Sequence, residues 1–316
     1  MHVLITGGAG FIGSNLVRFL LNKGLEITVV DNFDEFYSPK IKFANIHDFL
    51  NCKKFHLINI DMHNLPNTSS VNGKFDMLIH LASKGGVRLS IKQKEIYHEV
   101  NVEGTRQVFN YVIKNNIPKV VFASSSSIYG NSKELPWHEN ISPLQPISPY
   151  AFTKLLCEQM GMEYSKKHNF DFISLRFFSV YGPHMRPDLA LYSFSEKILN
   201  NEPIRLFGDG SSMRDYTYVD DIVEGIYNAI LYNKKKTDIF NLGYGKAHSL
   251  LEMVNTLEKH LNKKAILEFT NSIKEEADKT WANTEKAKQT LNFIAHTDFD
   301  TGVELFCKWF VNKCKN

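Results

Sequence analysis

The chain has 316 residues, enough for about two domains of ~150 residues or one large α/β domain with an appendage. Hydrophobic residues at 43% and charged residues at 22% exclude global disorder. A net charge of +3, from 37 Lys+Arg against 34 Asp+Glu, is too small to imply a nucleic-acid or membrane surface, and no basic stripe stands out. A small-molecule ligand is therefore expected. Cys52, Cys157, Cys307 and Cys314 show no C-x-x-C pairing, and they read as buried structural thiols of a reducing compartment. The opening residues run straight into a strand and a glycine loop, leaving no room for a signal peptide. No apolar run approaches the ~18 residues of a membrane span, so a cytoplasmic protein is expected.

In chain order, apolar β-rich runs at Val3–Thr6, Glu26–Asp31, His56–Ile60, Asp76–Leu81, Val120–Ser124 and Phe172–Phe178 alternate with helical patterns. The helical segments include Ile12–Asn22, Tyr97–Asn115 and Tyr150–His168. Continuous apolar strands between helices predict a doubly wound parallel sheet, a Rossmann fold, with ligands at the carboxyl ends of its strands. From about Tyr181 the texture becomes loop-rich, with helices expected at 189–200, 220–233, 249–261 and 301–313. The expected organisation is a dinucleotide-binding domain over 1–180 and a smaller α/β substrate lobe over 181–316, with some segments returning to the first. Phe306, Trp309 and Phe310 have the spacing of a core or interface face, and Lys234-Lys235-Lys236 reads as a solvated loop. Twelve histidines lack ligand spacing, so no metal is expected.

Gly7, Gly10 and Gly13, with Phe11 and Ile12 between them, follow the first strand and open a helix. The spacing suits a tight turn, close approach of bare backbone to a pyrophosphate, and close helix–strand packing. The helix N-terminus adds free N–H groups and the positive end of a dipole. Asp31 ends the second strand 18 residues after Gly13, near the ~20 expected of an acid on the adenosine ribose. A carboxylate there repels a 2′-phosphate, so NAD is expected rather than NADP. Asn32 and Lys42, on the loop after Asp31, are assigned to the cofactor with it.

Tyr150 and Lys154 are four apart at the start of a predicted helix and share a face. An ammonium ~5–6 Å from a phenol, at an effective dielectric of ~20, is worth about 3 kcal/mol. That predicts a phenol drawn down from its usual ~10 towards the range of a general base. Ser125, after the fifth strand, can hydrogen-bond the same substrate oxygen.

With these residues the chain resembles the extended short-chain dehydrogenase/reductases, and among them the nucleotide-sugar epimerases. The resemblance runs through Gly7–Gly13, His80-Leu81-Ala82, Asn101–Thr105, Ser125…Tyr129-Gly130, Tyr150–Lys154 and Arg214-Asp215-Tyr216. It implies that Tyr150 is the base and that Lys154 binds the nicotinamide ribose. It also implies that Asp61 and Met62 lie at the adenine, Leu81 and Ala82 line the cofactor cleft, Asn101 supports the site, and Arg214 neutralises a substrate diphosphate. Relatives often dimerise through two helices, here near 101–115 and 150–167, so a homodimer is expected.

Dehydratases of this family carry Asp-Glu, and decarboxylases a Glu, where this chain has hydroxyls at Ser126-Ser127. Without that acid/base pair no C5 proton leaves, which points to 4-epimerisation, with Ser126 and Ser127 beside Ser125 at the sugar. The segments Asp31–Lys42, Gly85–Arg88 and Arg176–Asp188 resemble UDP-glucuronate 4-epimerases, whose 4-keto product is a β-keto acid prone to losing CO2. Arg186 is accordingly assigned to the sugar carboxylate, with Ser179 as helper. The alternatives are an Arg186 that pairs with Asp188 at the rim or binds the diphosphate. Arg88 either contacts substrate or faces solvent. The stretch Lys274–Asp278 lacks an Arg found in relatives, and Asp278 is assigned to the uridine ribose. The expected substrate is UDP-glucuronate. The rivals are a 4-epimerase of UDP-glucose or UDP-N-acetylhexosamines and a non-catalytic NAD-binding protein.

Overall fold

Strands apolar on both faces need cover on both faces, and the first half of the chain supplies it by alternation. The computed structural model describes residues 1–271 and 277–315. β1 (His2–Thr6), α1 (Phe11–Asn22), β2 (Glu26–Val30), α2 (Pro39–Ile46), β3 (Phe55–Ile58) and β4 (Met77–His80) come first. The short α3 (Val87–Lys92) and α4 (Lys94–Tyr97) lead to α5 (Gly104–Lys114), β5 (Lys119–Ser125), α6 (Pro149–His168) and β6 (Asp171–Phe177). Then follow β7 (Ser179–Tyr181), α7 (Ala190–Asn200), β8 (Pro203–Phe207), β9 (Met213–Tyr218), α8 (Val219–Leu231) and β10 (Thr237–Leu242). β11 (Ala247–Ser249), α9 (Leu250–Leu261), β12 (Ile266–Thr270), α10 (Glu285–Leu291) and α11 (Phe299–Lys315) complete the chain.

The main sheet has the order β3-β2-β1-β4-β5-β6-β10 and is parallel throughout. The expected doubly wound architecture is what the chain adopts. The strand order reverses between β1 and β4, which opens the crevice where such sheets bind ligands. Side chains alternate across it: Val3 and Ile5 enter one core cluster with α1, while Leu4 enters another with Val108, Phe109 and Val112 of α5. The smaller lobe has a β7-β9-β11 sheet and a β8-β12 pair. The first cluster continues from β1 through Tyr181 and Tyr218 to Phe306 and Phe310 of α11, so one apolar core ties the lobes together.

Several expectations change. The loop expected through Asp31–Lys42 gives way to α2, which starts with Pro39 in its first turn, a position that needs no N–H. The single helix expected over Tyr97–Asn115 is interrupted by a π-turn at His98–Glu103. Cys157 and Cys307 are buried, but Cys52 and Cys314 are exposed, because one follows a surface turn and the other sits in the last turn of α11.

Candidate active site

Gly7 adopts φ +75°, and a Cβ there would stand 2.7 Å from the Ala82 nitrogen, so only glycine lets β1 and β4 release their loops this close. A Cβ on Gly13 would collide with the Gly7 carbonyl. Gly10 caps α1 with no side-chain hydrogen bond, which leaves first-turn N–H groups without a side-chain acceptor at the cleft. Asp31 accepts the Ala9 N–H at 3.0 Å and the Phe33 N–H at 2.9 Å. Burial pushes its pKa up against those N–H groups and the Lys42 charge, and each oxygen keeps a lone pair. Asn32 donates to Asp61 at 2.7 Å. Gly7, Gly10, Phe11, Ile12, Gly13, Asp31, Asn32, Lys42, Asp61, Met62, Leu81 and Ala82 line one cleft of about 360 Å³.

Ser125, Tyr150 and Lys154 line the same cleft. Ser148 caps α6 by accepting the Ala151 N–H at 3.2 Å, which sets Tyr150 in the first turn and Lys154 one turn on. Lys154 donates to the Ala123 carbonyl at 2.8 Å, and burial pulls its pKa down to about 8. The Tyr150 phenol lies above its ordinary value, raised by burial and only partly offset by the Ser125 hydroxyl and the Arg186 charge. This corrects the expected lowering by Lys154: the ammonium donates to Ala123, and desolvation of the phenolate outweighs the attractions that lower the phenol.

Asn101 does not line the cleft; it sits behind it in the π-turn, buried. Its amide accepts the Lys84 N–H at 2.7 Å and donates to the Lys84 carbonyl at 3.1 Å and Thr153 at 3.0 Å. It thereby ties the loop after β4 to α6. Ser127 also turns inward, its hydroxyl donating to Ser125 at 2.9 Å, and Ser126 is buried.

Arg186 lines the cleft and pairs with Asp188 at 3.0 and 2.9 Å through Nε and Nη2. The guanidinium thus makes the Asp188 pair of the rim alternative while also lining the cleft. The other substrate candidates are not among the residues lining this cleft. Arg88 lies over the Phe207 ring at 4.2 Å. Arg214 donates to the carbonyls of Met213 and Asp278 at 2.9 and 3.4 Å, and the Asp278 side chain accepts from Asn131 at 3.3 Å. Ser179 pairs with Tyr216 in the β7–β9 ladder. Lys274, Glu275 and Glu276 lie outside the described residues. No metal-ligating cluster occurs among the described residues.

Lys84, Phe36, Tyr37 and Ser124 also line the cleft and were not singled out from sequence. Lys84 pairs with Asp34 at 2.9 Å, a contact between loops 50 residues apart that no local pattern signals. The Tyr37 and Ser124 hydroxyls are buried and have no hydrogen-bond partner among the described residues.

The model of the NAD dependent epimerase/dehydratase family matches residues 3–243. A UDP-glucuronate 4-epimerase from Thermodesulfobacterium geofontis is 33% identical over 98% of this chain and 95% of its own. A crystal structure of the Bacillus cereus UDP-glucuronic acid 4-epimerase with UDP-glucuronic acid and NAD superposes with a TM-score of 0.92 at 32% identity, covering 99% and 100% of the two chains. The Thermotoga maritima UDP-glucose 4-epimerase with UDP-glucose reaches 0.90 at 26% identity, covering 99% and 100%. Glycine loop, acid, tyrosine and lysine meet in one crevice of a fold shared along its whole length with these enzymes, and the chain belongs to the NAD dependent epimerase/dehydratase family.

Proposed function

We propose that the protein interconverts UDP-glucuronate and UDP-galacturonate, as a NAD-dependent 4-epimerase. The observation that carries this is Arg186 in the same cleft as Ser125, Tyr150, Lys154 and the glycine loop: a carboxylate-binding group beside a dehydrogenase site.

The cleft fits NAD. Tyr37 and Ser124 offer buried hydroxyls with no partner among the described residues, and the first turn of α1, which has no side-chain cap, offers N–H groups to phosphate. The residues around Gly7–Gly13, with Asp31, Asn32, Lys42, Asp61, Met62, Leu81, Ala82 and Lys154, would hold it. When bound, NAD supplies the acceptor and donor of the C4 hydride.

The chain's own residues do the rest. Tyr150 takes the C4 hydroxyl proton and later returns it, with Ser125 hydrogen-bonded to the same oxygen. Lys154 would hold the nicotinamide ribose. Arg186 keeps the sugar carboxylate charged and held, which disfavours loss of CO2 from the β-keto acid. Ser126 and Ser127, with Arg88, Arg214, Ser179 and Asp278, are assigned to the sugar and UDP. Ser126 and Ser127 stand where dehydratases and decarboxylases of the family carry carboxylates, so those positions supply no base for elimination at C5. A homodimer through α5 and α6 and a cytoplasmic role in making precursors of surface polysaccharide complete the reading; sedimentation tests the dimer.

Proton NMR of the protein with UDP-glucuronate and NAD tests the reaction. Anomeric signals of UDP-galacturonate without UDP-pentose are expected. Failure there, with UDP-glucose epimerised instead, would establish the second reading, a neutral-sugar 4-epimerase. The Asp188 pair that already engages two groups of Arg186 favours that alternative.

A further inference from the structure

Among the described residues, the guanidinium of Arg186 makes its hydrogen bonds to Asp188 alone, on its own loop. Nη1 makes none, and it occupies the space a Cβ on Gly85 would take, 2.6 Å from that point. What meets the guanidinium from across the cleft is an aromatic ring: Arg186 Cζ lies 5.1 Å from the Phe36 centroid. The same ring carries Lys84 Nζ at 5.5 Å. Two cations on one ring would repel, but each has its own carboxylate, Asp188 for Arg186 and Asp34 for Lys84.

Phe36 is itself held in place. Its N–H donates to Asp34 Oδ1 at 2.9 Å. Asp34 accepts Lys84 Nζ at 2.9 and 3.2 Å, and Lys42 Nζ donates to the Asp34 carbonyl at 2.7 Å. The Lys84 backbone is in turn bonded to Asn101. The ring is thus fixed to the cofactor side of the cleft while its face meets the arginine of the substrate side.

We propose that Phe36 is a specificity-determining positioning residue, which holds Arg186 where it can bind an anionic group on the sugar. This rests on the UDP-glucuronate reading above. A ring attracts a guanidinium through its face without consuming an N–H. A second carboxylate in its place would occupy the donors that the sugar carboxylate needs and would repel it. Asp188 fixes one edge of the fork, Phe36 supports its plane, and Nη1 stays available. Without the ring, Arg186 loses the support of its plane, keeps its hydrogen bonds to Asp188, and shifts from its place beside Gly85.

The test compares Phe36→Leu, Phe36→Tyr and the parent, each loaded with NAD. KM for UDP-glucuronate should rise roughly three- to thirtyfold in Phe36→Leu, the range of one cation–π contact, with a detectable UDP-pentose by-product. KM for UDP-glucose and the bound NAD content should stay unchanged, and Phe36→Tyr should restore the parent values. Equal losses for both sugars, or lost NAD, would make Phe36 merely structural and overturn the proposal; so would no change at all. A crystal structure of Phe36→Leu separates this from the substrate reading. Arg186 displaced from beside Gly85 is expected whatever the sugar, and an unmoved Arg186 would overturn the positioning role. A parent protein that ignores UDP-glucuronate while Arg186 still moves would instead sink the substrate reading.

Discussion

Glu158 and Arg176 form a fully buried ion pair, 1% and 2% exposed, that joins the catalytic helix to the sheet. Glu158 sits two turns along α6 from Tyr150 and accepts Arg176 Nη2 at 2.6 Å, Arg176 Nε at 3.2 Å and the Ser174 hydroxyl at 2.7 Å. Arg176 Nη1 reaches Tyr129 Oη at 2.8 Å, and Tyr129 in turn donates to Asn241 at 2.7 Å. The pair thus connects α6, β6, the turn after β5 and β10. Replacing one partner leaves the other charge buried and uncompensated, so Glu158→Gln should cost about 3–5 kcal/mol of stability. Urea unfolding of the two proteins measures this.

Tyr150→Phe removes the hydroxyl proposed to accept the substrate proton while keeping the ring. Turnover should fall by about 10²–10⁴-fold, with bound NAD and melting temperature little changed. Rapid quench assays and absorbance of the purified protein check the two halves.

Arg186→Ala should raise KM for UDP-glucuronate by roughly tenfold or more, the loss of a charge-assisted pair, and release UDP-pentose. UDP-glucose kinetics should barely move. Equal effects on both sugars would return Arg186 to a rim role beside Asp188.

Gly13→Ala forces a methyl into the Gly7 carbonyl, and this overpacking strains the loop by about 1–3 kcal/mol. Retention of NAD through gel filtration should be lost before the fold is. A variant that keeps NAD would show that the loop relaxes freely.

Lys119 donates to the carbonyl ends of α8, and burial pulls its pKa from 10.5 down to about 8. Below pH 8 both folded and unfolded chains carry the proton, and the burial penalty is present in full. Between about pH 8 and 10.5 the unfolded chain binds more protons, so stability from this group rises with pH. Lys119→Met lacks that gain. The parent should therefore gain about 1–3 kcal/mol relative to the variant across that window, read from denaturant midpoints at each pH.

Much of this protein was legible without coordinates, because its information is local. The strand-flanked glycines, the acid ending β2 and the four-residue spacing of Tyr150 and Lys154 depend only on backbone geometry and helical period. They determined the parallel sheet, the dinucleotide crevice and the family. Tertiary structure decided what depends on partners distant in sequence. Burial raises the Tyr150 phenol, which was expected to be lowered, and the Lys154 ammonium donates to the Ala123 carbonyl. Asn101 acts from behind the cleft rather than in it. The ring of Phe36 meets Arg186, 150 residues away in the chain, only because the loops after β2 and β7 converge on one cleft. Spacing encodes what lies on one helix or strand; desolvation and cross-chain contacts exist only once the chain has folded.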